Sequence, residues 1–133
     1  RGLELRQKLL TSLPVVHIDS SQMKQVLVNL MKNAIQAMTR GGILTLRTSE
    51  SSEGVVLSVE DTGGGIPPET LSRIFEPFYT TKKRGSGLGL MIVQRIVTEH
   101  GGRVGVESHV GKGTEFRIWL PLEAKTPRLL AEP

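Results

Sequence analysis

The chain has 133 residues, of which 38% are hydrophobic and 23% charged, so we expect one globular domain and exclude a disordered polymer. It contains no cysteine, which excludes disulfides, thiolate metal sites and cysteine nucleophiles and suits a reducing, cytoplasmic location. The net charge of +4 is modest, and with one Trp, one Tyr and three Phe the chain lacks the basic, aromatic-rich stripe of a nucleic-acid-binding protein.

The first part of the chain predicts a strand and a long helix. Leu3–Leu9 alternates loosely and predicts the strand, and Pro14–Ile18 predicts a short extended run. Asp19 or Ser20 is placed to cap the helix that follows, and Gly41–Gly42 to end it. An apolar stripe at three- and four-residue spacing supports this helix, and it consists of Met23, Val26, Leu27, Leu30, Met31, Ala34, Ile35 and Met38.

The middle of the chain predicts two strands and a second helix. Ile43–Thr48 and Val55–Glu60 predict paired strands around a serine-rich turn. Pro67 and Pro68 then open a helix near Glu69–Phe75, because proline is best tolerated in the first helical turn.

The last part predicts a loop, a third helix and two closing strands. Phe78–Ser86 is predicted to be a mobile loop and Leu88–His100 a helix. Arg103–Ser108 and Thr114–Leu120 predict the strands. Because helices and adjacent strand pairs are mixed in this order, we expect an α+β fold, a two-layer sandwich.

Two asparagines lie four residues apart on the long predicted helix. At about 100° per residue, Asn29 and Asn33 share a strip that flanks the apolar stripe. Their amide oxygens suit a hard cation such as Mg²⁺, which prefers oxygen ligands and keeps some of its waters. An ordinary polar helix face explains an isolated pair equally well, so the pair gains meaning only from the segments that follow.

Glycine clusters mark three places where the backbone turns sharply or approaches a ligand, and none is a Walker A loop or a Gly-x-Gly-x-x-Gly motif. Asp61 precedes Gly63–Gly65, where it can accept a hydrogen bond from an exocyclic amine or cap a tight turn. Gly85–Leu90 precedes a helix whose first N–H groups suit phosphate, although a helix-entry loop also explains it. Gly111–Phe116 is equally explained as a hairpin turn.

In this order and spacing, the segments closely resemble the catalytic, ATP-binding domain of sensor histidine kinases, within the superfamily of gyrase, histidine kinase and MutL-type ATPases. The resemblance covers Leu3–Leu122, and the compact Thr80–Arg84 link is most similar to that of nitrogen-regulation-type kinases. Asn29–Ala34 resembles the N box, and Asp61–Gly65 resembles the first glycine box. Phe75–Tyr79 resembles the phenylalanine box, Gly85–Leu90 the second glycine box, and Gly111–Phe116 the closing glycine segment.

The resemblance implies the Bergerat fold, a mixed sheet of about five strands backed by three helices, with ATP and Mg²⁺ as cofactors. It implies Asn33 as the chief Mg²⁺ ligand and Asn29 as an assistant at the metal or the phosphates, both of them catalytic. Many kinases of the family carry lysine three residues after the metal-binding asparagine, but this chain has Gln36 there. The γ-phosphate would then be contacted by Lys82, taken as catalytic, or by Lys32.

Contacts to the rest of the nucleotide are implied in the same way. Asp61 would accept a hydrogen bond from the adenine amine, and Thr114 would support Asp61 through water. Gly63 and Gly65 would lie beside the ring, and Gly87, Leu88 and Gly89 would meet the phosphates. Ile66, Gly85 and Leu90 are further implied cofactor-binding residues.

The residue at position 29 bears on whether the reaction is transfer or hydrolysis. ATPases of the superfamily place a glutamate one helical turn before the metal-binding asparagine, as general base on a hydrolytic water. Here Asn29 stands in that position, and a carboxamide cannot take the proton, so a kinase is favoured. A protein-serine kinase of the anti-sigma type and a related ATPase stay open as alternatives, although the phenylalanine box argues against the former.

The expected reaction transfers the γ-phosphoryl group of ATP to a histidine on a separate dimerisation domain. His17, His100 and His109 lack the acid-rich helical context of such an acceptor, so we interpret the chain as part of a longer kinase. Expected partners are the dimerisation and phosphotransfer domain and a cognate response regulator, with no nucleic acid, and the isolated domain is expected to be monomeric. Residues 1–122 are expected to form the catalytic domain and residues 123–133 a flexible tail. The location is expected to be cytoplasmic, although a full-length kinase of this type can be membrane-anchored.

Overall fold

The computed structural model describes residues 2–9, 18–52, 54–75 and 89–121. In chain order the described elements are β1 (Leu3–Lys8), α1 (Ser20–Ala37), β2 (Gly42–Ser51), β3 (Gly54–Asp61), α2 (Pro68–Leu71), α3 (Gly89–Glu99), β4 (Arg103–His109) and β5 (Gly113–Pro121). The predicted loop at 78–86, the tail from 123 and most of the extended run at 14–18 lie outside the described residues.

The five strands form one mixed sheet in the order β1-β2-β3-β5-β4. β1 runs parallel to β2, and every other neighbouring pair is antiparallel. The three helices and this sheet make a two-layer sandwich, which confirms the predicted fold class.

Helix α1 begins as its sequence predicts. The Asp19 side chain caps it by accepting a hydrogen bond from the Gln22 backbone N–H at 3.0 Å. The helix ends at Ala37, and Met38 lies just beyond it but is buried. The prediction that Ile35 belongs to the apolar stripe was wrong, because this side chain is 43% exposed.

The second helix is shorter than predicted. Helix α2 covers only Pro68–Leu71, and the chain then continues in tighter turns, in which the Arg73 N–H donates to the Thr70 carbonyl at 2.9 Å. Ile74 is buried, and the ring of Phe75 meets that of Phe116 edge-on, with centroids 6.5 Å apart. The helix predicted to reach Phe75 therefore ends at Leu71, and tighter turns bring Ile74 and Phe75 to the core.

Helices α1 and α3 pack side by side in opposite directions. The Asp19 N–H, at the start of α1, donates to Nε2 of His100 at 2.9 Å, while Nδ1 of His100 contacts the Ile96 carbonyl at 2.8 Å. At the other end of the pair, Nδ2 of Asn29 donates to the Gly89 carbonyl at 3.4 Å. This arrangement brings the asparagine strip of α1 to the beginning of α3.

The core fills the space between these helices and one face of the sheet. Its buried members are Met23, Val26, Leu30, Ala34, Met38, Leu44, Val59, Ile74, Val93, Ile96, Val97, Phe116, Ile118 and Leu120. Among the described residues, no helix has the length and apolar character needed to cross a membrane.

Candidate nucleotide-binding site

The asparagine strip of α1 supplies amide groups at the α1–α3 junction. Asn29 and Asn33 are partly buried there, whereas Lys32 and Gln36 are exposed. Because Nδ2 of Asn29 points to the Gly89 carbonyl, its Oδ1 is the atom left to act as an acceptor or ligand. The amide of Asn29 therefore lies beside the first described residue of α3.

Asp61 is a buried carboxylate at the end of β3. It is only 6% exposed, and it accepts a hydrogen bond from the Gly63 N–H at 2.8 Å. Burial raises its pKa above the ordinary value, hydrogen bonds from the Gly63 and Thr114 backbone N–H groups oppose the rise, and the charge of Glu60 adds to it. The fold thus places the Asp61 carboxylate where water solvates its ionised form poorly. Such an environment is typical of functional carboxylates.

The glycine loop after Asp61 packs closely against protein. A Cβ at Gly63 would lie 2.5 Å from the Ala37 carbonyl oxygen at the end of α1. Gly65 has φ +80°, and a Cβ there would collide with the His109 carbonyl. Contacts with the fold therefore already require both glycines, and their predicted place beside an adenine ring stays a prediction.

Thr114 and Asp61 lie opposite each other on β5 and β3. Thr114 is buried, and its backbone N–H donates to the Asp61 carboxylate. Its hydroxyl lies 2.7 Å from Oγ of Ser108. The structure thus brings Thr114 to Asp61 by a direct backbone contact, and the predicted support through water stays a prediction.

Sequence analysis missed two polar residues of this region. Ser108, on β4, accepts a hydrogen bond from the Ile66 N–H at 2.7 Å, and Thr62 Oγ1 accepts one from the Ile43 N–H at 3.0 Å. Strand alternation could have pointed to Ser108, since it shares the inward face of β4 with Val104 and Val106 yet is polar. Thr62 stands inside the recognised glycine box and carried no separate signal.

The remaining predicted site residues are only partly described. Gly89 and Leu90 form the beginning of the described part of α3, next to Asn29. The residues Lys82, Gly85, Gly87 and Leu88 lie outside the described ranges.

The donor set of the described site suits Mg²⁺ better than a softer metal. In the described ranges no three His, Asp or Glu side chains gather into a metal cluster. The amide oxygens of Asn29 and Asn33 are hard ligands, and Mg²⁺ usually takes few protein ligands and completes its shell with water and substrate phosphates. These residues therefore fit a magnesium ion that arrives with a nucleotide.

Comparison with known proteins agrees with this geometry. The sequence profile of the family described as histidine kinase-, DNA gyrase B-, and HSP90-like ATPase matches residues 18–124. Sporulation kinase C of Bacillus subtilis (strain 168) is 46% identical over 110 residues, which cover 83% of this chain and 26% of that protein. The sensor histidine kinase ZraS of Escherichia coli (strain K12) is 45% identical over 122 residues, 92% of this chain and 26% of that protein.

Solved structures give the same result. The catalytic domain of the histidine kinase ThkA, in a nucleotide-free form, matches with a TM-score of 0.79 and 35% identity, covering 90% of this chain and 78% of that one. Full-length ShkA in complex with AMPPNP matches with a TM-score of 0.77 and 36% identity, covering 92% of this chain and 27% of that one.

The chain spans about a quarter of the length of these two curated relatives. The profile match covers most of the chain, and the mixed five-stranded sheet is the fold that the resemblance implies. This chain therefore belongs to the family of histidine kinase-, DNA gyrase B- and HSP90-like ATPases, and within it is similar to the catalytic domains of sensor histidine kinases.

Proposed function

We propose that this domain binds Mg-ATP and donates the γ-phosphoryl group to a histidine on a separate dimerisation domain, as the catalytic part of a two-component sensor kinase. The observation that carries the proposal is the buried Asp61, held by Gly63 and Thr114 at the base of a glycine loop. That loop packs on the end of α1, and α1 carries the asparagine strip. A hydrogen-bond acceptor for the adenine ring and the proposed metal ligands thus lie at the same end of the fold.

Each part of this end has a task in phosphoryl transfer, which depends mainly on position and electrostatics. Asp61 accepts a hydrogen bond from the adenine amine and fixes the base. Asn33, assisted by Asn29, holds Mg²⁺, which neutralises phosphate charge when bound. The second glycine box around Gly87 and Leu88 is proposed to contact the phosphates, with Lys82 or Lys32 at the γ-phosphate.

The partners follow from the same proposal. The dimerisation and phosphotransfer domain of the same kinase supplies the histidine, and a cognate response regulator receives the phosphoryl group. The similarity to sensor kinases such as ZraS supports this assignment. The cytoplasmic location, the monomeric state, the absence of nucleic-acid binding, the nitrogen-regulation-type subgroup and the boundary between residues 122 and 123 stay predictions from the sequence.

ATP hydrolysis is the second candidate function, because the same family includes ATPases. The local chemistry disfavours it. Position 29 carries an amide that donates to the Gly89 carbonyl, and an amide cannot act as general base on water. The γ-phosphoryl group is therefore expected to be transferred to a nucleophile stronger than water.

Titration of this chain with fluorescently labelled ATP should show a complex that depends on magnesium. The expectation follows from the hard amide ligands of α1, which need the ion to engage the phosphates. Binding is measured with Mg²⁺ and again with an excess of chelator. No binding under either condition would contradict the proposed function, and equal binding under both would contradict the role of Asn33.

The isolated chain should hydrolyse ATP barely detectably, yet it should phosphorylate a histidine on added dimerisation-domain protein. The reason is the amide at position 29, which cannot activate water. Release of inorganic phosphate and the appearance of acid-labile phosphohistidine are measured side by side. An acceptor variant without the histidine serves as the control, and robust phosphate release by this chain alone would favour the ATPase alternative.

A further inference from the structure

One serine on β4 connects three parts of the candidate adenine pocket. Ser108 is half-buried at the end of the strand, facing inward. Its Oγ accepts a hydrogen bond from the Ile66 N–H at 2.7 Å, lies 2.7 Å from the Thr114 hydroxyl and donates to the Gly113 carbonyl at 3.1 Å. A hydroxyl can donate one proton and accept two, so these three contacts use its full capacity.

The contact with Ile66 ties the glycine loop to the end of β4, next to the turn that joins β4 to β5. The Gly111 N–H donates to the Gly64 carbonyl at 2.8 Å, so the loop meets that turn at a second point. The left-handed Gly65 lies between these points, packed on the His109 carbonyl. Of these two contacts, the bond from Ile66 uses a side chain, so a substitution of Ser108 can loosen the loop.

The same hydroxyl sets the direction of its contact with Thr114. When Ser108 donates its one proton to the Gly113 carbonyl, Thr114 donates its own proton to Ser108. The Thr114 oxygen then offers only lone pairs to anything else nearby. The Thr114 backbone N–H also donates to Asp61, so Ser108 acts on the residue that holds the base acceptor.

We propose that Ser108 is a positioning residue for adenine recognition, which holds the glycine loop through Ile66 and orients the Thr114 hydroxyl beside Asp61. This inference rests on the proposed function, in which Asp61 receives the adenine amine. Ser108 itself need not touch the nucleotide. Its effect is on how well the pocket is ordered before the base arrives.

The test replaces Ser108 with alanine and with threonine. Ser108→Ala should weaken ATP binding about fivefold to tenfold, because the Ile66 N–H and the Thr114 hydroxyl lose their partner. GTP binding should change much less, so the ATP/GTP ratio should fall. Ser108→Thr keeps the hydroxyl and should restore ATP affinity to within about twofold. Ser58→Ala, the same change on the opposite face of the sheet, is the matched control and should leave the ratio unchanged.

Amide hydrogen exchange supplies a readout that does not depend on nucleotide. The Ile66 amide should exchange slowly in the unaltered chain and faster in Ser108→Ala, beyond any general change seen across β3. Rapid exchange at Ile66 in the unaltered chain would overturn the inference even if the alanine variant fails to fold. Equal losses of ATP and GTP affinity, or no rescue by threonine, would also overturn it and reduce Ser108 to a stabilising contact. Failure of the unaltered chain to bind any nucleotide would instead contradict the proposed function, with the exchange at Ile66 still reporting on the loop.

Discussion

Replacement of Asn33 by alanine is expected to remove the magnesium-dependent part of ATP binding and to slow phosphoryl transfer at least about a hundredfold. Its amide is the proposed chief ligand of the ion, and the ion neutralises the charge that develops on the phosphates during transfer. Alanine has a higher helix propensity than asparagine, so the middle of α1 should not lose helical stability through propensity. The variant should therefore remain folded and lose function through the site.

The measurement compares ATP affinity with and without Mg²⁺, together with single-turnover transfer to an added dimerisation domain. Gln25→Ala is the matched control, because it removes a carboxamide from the exposed part of the same helix. The control should retain both activities and a similar melting temperature. If Asn33→Ala still binds ATP in a magnesium-dependent way, the role of chief ligand passes to Asn29.

Much of the fold could be predicted because its signals are local. The stripe from Met23 to Met38 has the period of a helix, and a capping aspartate precedes it, so α1 was predicted almost to its ends. The residue types of β2 and β3 and the serine-rich turn between them likewise predicted paired strands, and the structure shows them as an antiparallel pair. A helix with an apolar period of about 3.6 residues, or a strand with a period of 2, buries one continuous face, so both patterns can be recognised in the sequence.

The remaining features depend on contacts between distant segments. Ile35 fits the apolar stripe by spacing, yet its side chain is 43% exposed, and periodicity alone does not report burial. The end of α2 is set by where Ile74 and Phe75 enter the core. The network around Ser108 joins residues 42 positions apart, and it becomes visible only when β4 lies beside β5.

Replacement of Asp61 by asparagine is expected to weaken ATP binding about tenfold to a hundredfold and to narrow the preference for ATP over GTP. Adenine offers an exocyclic amine where guanine presents a carbonyl oxygen. An ionised carboxylate only accepts hydrogen bonds, so it pairs with the first and repels the second. Asparagine can turn its amide to donate, which costs the adenine contact and relieves the repulsion of guanine.

The same change should raise the melting temperature of the free domain at neutral pH. Burial raises the pKa of Asp61 above its ordinary value, so the folded state favours the protonated form. A raised carboxyl pKa contributes most to the free energy of unfolding at low pH, and this contribution is lost as the pH rises from the unfolded value through the folded one. Asparagine stays neutral at every pH. The melting temperature of the variant should therefore exceed that of the unaltered chain above that pH range, and the difference should disappear in acid.

ATP affinity should follow the opposite course, because the adenine amine needs the ionised carboxylate. In the unaltered chain it should fall as the pH drops through the raised pKa of Asp61, whereas the asparagine variant should lack this step. Glu50→Gln removes an exposed carboxylate from β2, at the end of the β2–β3 pair away from Asp61, and is the matched control. Isothermal titration with ATP and GTP at several pH values separates these effects from the titration of the phosphates, which all variants share. If Asp61→Asn leaves the ATP/GTP ratio and its pH dependence unchanged, Asp61 is a turn residue and adenine is recognised elsewhere in the domain.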